Sequence, residues 1–404
     1  MTNTLLQQGR VVDPSTGRDE TRDVFISDGR IVGLSTTAAP LPPGTEVIDC
    51  RGLIITPGLI DMHTHVFEGL GDFCVKPDAV GVDAGVPVVV DGGTSGVATF
   101  DISRHAVIDH PETKTKVLAF VDPCQLYLAT KDFICHKLRI ADDLKNLDPE
   151  SLADCIDRNR DVLVGLKARA CHVGDPEFSP FLAGAQEASD GMPVMVHLGR
   201  FPHTPVITPV ALLNQLRSGD IITHAFRGAG GMLGPDGKVV PQFRDAVDRG
   251  VVLDMGHSGT DFRFREARRL LDQGYMPDTA STDLNIFTVN GPVFSLVENM
   301  TKLLALGIAL HDVIAMATTN VARAIGRVDE FGSLQEGRTA DISLLRIRSD
   351  GPFAVSDGHE VIESAQAVEA VGCLRAGVYR ATKPMASYAA NGKTWMEPPP
   401  DQDW

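Results

Sequence analysis

The sequence predicts an α/β architecture: a (β/α)8 TIM-type barrel with a small β-sandwich domain built from both ends of the chain. Three observations predict it. Eight apolar runs of strand length alternate with helical stretches through the middle of the chain. The two ends share a different texture, short strands broken by turn residues. Histidine, lysine and aspartate collect at the C-terminal ends of the apolar runs, where a barrel of this kind keeps its chemistry.

The N-terminal strand-like runs lie at 9–13, 23–27, 30–34 and 46–50, with Asp28-Gly29 as a hairpin turn between the second and third. The C-terminal end resembles this, because 332–345 reads as two turns and a strand. The expected division is therefore 1–57 plus 330–404 for the small β domain and 58–329 for the barrel. The closing Met-Glu-Pro-Pro-Pro-Asp-Gln-Asp-Trp cannot enter a helix or a central strand and is expected to be a surface arm. The barrel strands are expected at 59–66, 86–91, 117–122, 162–170, 193–198, 220–226, 251–256 and 279–283, with helical stretches such as 212–217 and 264–273 between them. An open doubly wound sheet is the alternative, weakened by the lack of a GxGxxG after an early strand.

Bulk properties exclude several classes. The 404 residues are 43% hydrophobic and 22% charged, an ordinary globular composition with room for a barrel of about 250 residues and a satellite domain. The net charge of −16 argues against a nucleic-acid partner. No apolar run is long enough for a membrane span, and the start lacks a signal sequence, so a cytoplasmic location is expected. Seven scattered cysteines without a CxxC argue against a disulfide framework. A homo-oligomer acting on a small molecule, with no nucleic-acid or membrane partner, is the expected context.

The stretch Pro57-Gly-Leu-Ile-Asp-Met-His-Thr-His65 carries most of the chemistry. Side chains on a strand alternate faces, so His63 and His65 point the same way and make half of a divalent metal site. Further strand ends carry Lys167 and Arg169, His197, His224, His257 and Asp283. A single histidine at a strand end is commonly just a satisfied polar group, but five of the twelve, closed by an aspartate, form a pattern. His105, His110, His136 and His359 read as solvated. The glycine-rich 92–96 reads as a flexible loop above the second strand.

These motifs resemble the amidohydrolase superfamily, with Pro57–His65 as its opening signature. The Val-Gly-Leu-Lys-x-Arg, Met-Val-His, Thr-His-x-Phe, Gly-His and Ser-Thr-Asp segments at 164–169, 195–197, 223–226, 256–257 and 281–283 are similar to its amidohydrolase/deacetylase branch, related to dihydroorotases. The resemblance implies a binuclear centre of two divalent metals, zinc first with manganese or cobalt as alternatives. His63, His65 and Asp283 would hold one metal and His197 and His224 the other, bridged by Lys167 as an N6-carboxylated lysine. It implies a hydroxide bridging the metals as nucleophile and Asp283 as its proton acceptor. His257, not needed as a ligand, is expected to hydrogen-bond the carbonyl or another part of the substrate, with a structural histidine ending the seventh strand as the alternative. Arg169 shares a strand face with Lys167, and its planar fork is expected to bind a substrate carboxylate, with a structural pair to an acid as the alternative. The expected activity is hydrolysis of an amide or ester bond in a small acylated acid. Ring opening of a cyclic amide is the runner-up, and a non-catalytic scaffold is a distant third.

Overall fold

A computed structural model describes residues 3–35, 41–199, 203–228 and 232–384. The proline-rich tail expected to form a surface arm lies outside the described residues. The chain opens with β1 (Asn3–Asp13), β2 (Arg18–Ser27), β3 (Arg30–Ser35), β4 (Glu46–Asp49) and β5 (Ile54–Pro57). The turn between β2 and β3 is Asp28-Gly29, with both residues at positive φ (46° and 77°), as a two-residue hairpin loop requires.

The middle carries β6 (Ile60–Thr64), β7 (Val88–Gly96), β8 (Lys116–Asp122), β9 (Leu163–Arg169), β10 (Val194–His197), β11 (Ile221–Thr223) and β12 (Val252–Leu253). These seven pair in sequence order, every neighbour parallel. Both faces are buried, which is why the runs read as continuously apolar rather than alternating. Val88 and Val90 pack with Ile60, Met62, Phe120 and Met195, while the intervening Val89 joins the cluster that includes helix residues Leu182, Leu212 and Phe243. The eighth expected strand, 279–283, is not a ladder strand. Asp283 sits at φ 54°, which breaks extended geometry there. The segment nonetheless bridges both edges of the sheet. Asp254 pairs with Thr279 and Thr64 with Leu284, both parallel, and the Asp283 N–H donates to the His63 carbonyl at 2.6 Å.

Helices between the strands begin where local chemistry starts them. Asp148, Ser179 and Thr208 each cap a helix with a side-chain oxygen, and each precedes a proline at the first helical position. The stretches expected at 212–217 and 264–273 are Pro209–Gln215 and Phe264–Leu271.

The C-terminal strands are β13 (Ile342–Arg348), β14 (Phe353–Ser356), β15 (Val361–Ser364), β16 (Ala367–Arg375) and β17 (Val378–Ala381). Strands from both chain ends share one eight-stranded sheet, ordered β17-β16-β13-β5-β1-β2-β3 with β4 also on β1, while β14 and β15 form a separate hairpin. Among the described residues the strands of the two chain ends are joined in one mixed sheet. β13 pairs with β5, and its Ser343 also bonds the Leu59 N–H (3.0 Å) and the Gly85 carbonyl (2.7 Å). The sheet is therefore seated directly on the parallel unit.

Candidate metal centre and substrate pocket

The strand ends bring the chemistry to one place. His63 and His65, on and just after β6, put their Nε2 atoms 3.4 and 3.0 Å from Asp283 Oδ1. Lys167, from β9, puts Nζ 2.9 Å from His63 Nε2 and 3.3 Å from Met195 Sδ. His224, just after β11, lies with its ring centroid 5.4 Å from that of His63 and 4.4 Å from that of His197 on β10. Ligand atoms of His63, His224 and Asp283 all fall within 4.8 Å of one another. Glycine allows this closeness. A Cβ on Gly92 would lie 2.2 Å from His63 Cδ2, and one on Gly93, at φ +83°, would lie 2.4 Å from Lys167 Cβ. The 92–96 segment is thus not a flexible loop. It is the buried continuation of β7, glycine-rich because side chains from two neighbouring strands occupy the space.

Proton bookkeeping shows what the cluster suits. Thr94 Oγ1 donates to Asp91 at 2.8 Å and so accepts from His65 Nδ1 at 2.7 Å. Thr223 Oγ1 donates to Asp254 at 2.7 Å and accepts from His63 Nδ1 at 3.0 Å. His224 Nδ1 donates to the Gly256 carbonyl at 2.6 Å. In all three rings the proton is on Nδ1 and the Nε2 lone pair faces inward. The Nε2 of His65 and Asp283 Oδ1 are then two acceptors 3.0 Å apart with no proton between them. His224 Nε2 and Asp283 Oδ1 are buried without a hydrogen-bond partner. A divalent cation resolves this arrangement, so the donor set fits metal. Burial holds His63, His197 and His224 neutral, the form that ligates, and pushes Lys167 down to about 7.

A cavity of about 380 Å³ opens beside the cluster, lined by His63, His65, Lys167, His197 and Asp283 among others. Aromatic rings stand over it. Phe73 meets His65 edge-on at 4.8 Å and Phe287 at 6.0 Å. Arg169 lines the cavity as well, but its Nη1 is hydrogen-bonded to buried Asp122 and its guanidinium lies 3.9 Å over the Tyr127 ring. The structural pair with an acid, weighed as the alternative, is therefore present. Arg227 is a second cation on the cavity wall, paired with Asp261 at 3.0 Å.

Two histidines stand elsewhere than expected. His257, expected at the substrate carbonyl, does not appear among the described residues lining the cavity. Positive φ at Gly256 (44°) and Ser258 (52°) turns the chain there. The ring packs on Phe262 at 5.4 Å, and its Nδ1 accepts the Gly259 N–H at 3.0 Å. His136, expected to be solvated, is instead 1% exposed and lines the cavity, with Nδ1 2.7 Å from Thr204 Oγ1. The available signal for it was the long connection between β8 and the helix at Pro149–Arg158. Long connections at the C-terminal face of such sheets carry function.

A parallel sheet whose strand ends converge on imidazoles, a lysine and an aspartate defines the class of barrel hydrolases. The chain belongs to the amidohydrolase family: the family's model matches residues 261–367, and a deacetylase of Agrobacterium fabrum is 31% identical over 328 residues, 80% of this chain and 78% of that protein. A deacetylase of Brucella anthropi is also 31% identical, over 81% of this chain and 80% of its own length. The protein is accordingly a hydrolase acting on carbon–nitrogen bonds other than peptide bonds, and the family acts on small molecules. Among solved structures, an adenine deaminase superposes with a TM-score of 0.83 at 24% identity, over 95% of this chain and all of its own. A dihydroorotase superposes with 0.79 at 25% identity, over 95% of this chain and 98% of its own. These neighbours imply a TIM-type barrel for the parallel unit. Among the described residues no helix is long and apolar enough to cross a membrane.

Proposed function

We propose that the protein is a metal-dependent, deacetylase-like amidohydrolase that cleaves an amide or ester bond of a small acylated substrate carrying a carboxylate. The carrying observation is the convergence of inward-facing imidazole lone pairs, Lys167 and the unpartnered Asp283 oxygen beside one cavity. The deacetylase relatives support the substrate class. In this reading segment 279–284 is the eighth stave of a (β/α)8 barrel spanning 58–329, and 1–57 with 330–404 form the satellite domain.

His63, His65 and Asp283 would hold one divalent ion and His197 and His224 a second, zinc first. When bound, the ions lower the pKa of the attacking water and polarise the scissile carbonyl. Lys167, with its ammonium already pushed down to about 7 by burial, has a lone pair for CO2. The Nζ–C bond forms, Nζ loses a proton, and the resulting carbamate is an anionic oxygen ligand where a cationic ammonium would repel metal. Asp283 takes a proton from the attacking water and delivers it to the leaving nitrogen or oxygen as the acyl bond breaks. Arg169 orients the substrate carboxylate from the cavity wall, with Asp122 and Tyr127 bracing its guanidinium.

Metal analysis after zinc-, manganese- or cobalt-supplemented expression, with assays on N-acetyl amino acids, O-acyl hydroxy acids and cyclic amides, tests the reading. About two metals per chain and turnover of the acyclic acids are expected, and a chain that binds no metal overturns it. Turnover of rings alone would establish the second reading. That reading is favoured by a dihydroorotase of Geobacter metallireducens, 43% identical over 96 residues, 24% of this chain and 21% of that protein.

A further inference from the structure

We propose that two buried threonine–aspartate relays, Thr94–Asp91 and Thr223–Asp254, act as positioning devices that set the affinity of the centre for its metals. The inference rests on the metal-site reading above and concerns side chains that touch neither metal nor substrate.

Each relay is complete. Asp91 receives the Thr94 hydroxyl and the Val66 N–H on Oδ2 (2.8 and 2.9 Å) and the Thr94 N–H on Oδ1 (2.8 Å). Asp254 receives the hydroxyls of Thr223 and Ser281 on Oδ2 (2.7 and 2.6 Å) and that of Thr279 on Oδ1 (2.7 Å). Both aspartates are fully buried, and among the described residues neither forms an ion pair with a lysine or arginine. Each aspartate is surrounded by hydroxyl and N–H donors, so each threonine hydroxyl turns its proton to the aspartate and its lone pair to the imidazole behind it.

The consequences are two. The carboxylate accepts the threonine proton, so the threonine lone pair must accept from histidine. A neutral imidazole left alone carries its proton on either nitrogen, and one tautomer would aim an N–H at the metal position. The relay removes that tautomer and raises the basicity of the Nε2 lone pair. The strand order makes the second relay reach further. Thr223 Oγ1 serves His63, and Thr223 immediately precedes His224 in the chain, so the second relay sits next to a residue assigned to the other ion. His224 itself uses the Gly256 backbone carbonyl and has no threonine–aspartate relay behind it.

The test is Thr94→Val and Thr223→Val, which keep shape and remove the hydroxyl, beside Thr94→Ser and Thr223→Ser, which keep the hydroxyl. Zinc affinity is read by competition with a chromophoric chelator, and ligand geometry by the cobalt(II) absorption spectrum. The valine variants should bind zinc about 10- to 100-fold more weakly with an altered cobalt spectrum, and the serine variants should restore both. Should a valine variant prove insoluble, Thr94→Ala or Thr223→Ala removes the hydroxyl without adding bulk. Wild-type zinc affinity in the hydroxyl-free variants overturns the relays and leaves the metal centre standing. Failure of the unaltered protein to bind zinc, manganese or cobalt overturns both.

Discussion

His224 and Asp283 hold left-handed backbone, at φ 66° and 54°, a conformation that costs a non-glycine residue roughly 1 kcal/mol or more. The strain is kept where a side chain has to leave its strand and turn into the cluster. At the same scale Lys167 is the residue on which the carbamate reading depends. Lys167→Ala should lose second-metal binding and lower kcat by at least about 100-fold, with partial recovery on adding a short carboxylic acid. Full activity in that variant would rule the carbamate out. Arg169→Met should raise KM for carboxylate-bearing substrates more than it lowers kcat, and an unchanged KM would leave Arg169 as a brace for Asp122 only. His136 gives a pH signature. Burial and nearby Arg169 push its pKa down to about 3, against an ordinary 6.5, so the unfolded chain binds more protons between those limits. Stability should therefore fall as the pH drops from 6.5 toward 3, and His136→Gln should flatten that part of a stability-versus-pH curve.

At the scale of elements, the strand ends work because glycines let neighbouring strands approach. Gly256 lies at φ +44°, and a Cβ there would sit 2.2 Å from Thr223 Oγ1 and 2.9 Å from His224 Nδ1. Gly256→Ala should destabilise the fold by about 2 kcal/mol in urea unfolding and weaken zinc binding together, because strain and the displaced hydroxyl act on the same ligands. A variant with unchanged zinc affinity would show that the strand end yields elsewhere. This is also where sequence reading ran short. A run of Gly92, Gly93 and Gly96 has the composition of a loop, and only the neighbours that fill the missing side-chain space identify it as strand. His257, absent from the described cavity lining, shows a related limit of local pattern. Its place after an apolar run marks a strand end, but the direction of its side chain depends on backbone angles at Gly256 and Ser258 that composition does not reveal.

At the scale of the whole molecule, the two ends of the chain are joined in one sheet, with β13 pairing β5 and Gly58 N–H bonded to the Asp341 carbonyl at 2.8 Å. A chain ending at Arg338 would expose the β5 edge and the apolar face of Leu6, Val11 and Ile55. It should appear in the insoluble fraction, whereas soluble, zinc-binding protein would show that the parallel unit folds alone. The parallel strands and their order were legible in the sequence, and so was the gathering of polar residues at their ends. A strand buried on both faces must be largely apolar, and a site residue near its end interrupts that pattern with a polar one. His63, His65, Lys167, His197, His224 and Asp283 all carry that interruption. The pairing of Arg169 with Asp122, the burial of His136 in the cavity, the turning away of His257 and the threonine–aspartate backing of His63 and His65 were decided by tertiary structure alone. The arginine pair, the histidine in the cavity and the threonine backing join residues tens to hundreds of positions apart, and the placing of His257 turns on backbone angles at Gly256 and Ser258. The sequence by itself determined which chemistry the chain assembles, and the fold decided which atoms face it.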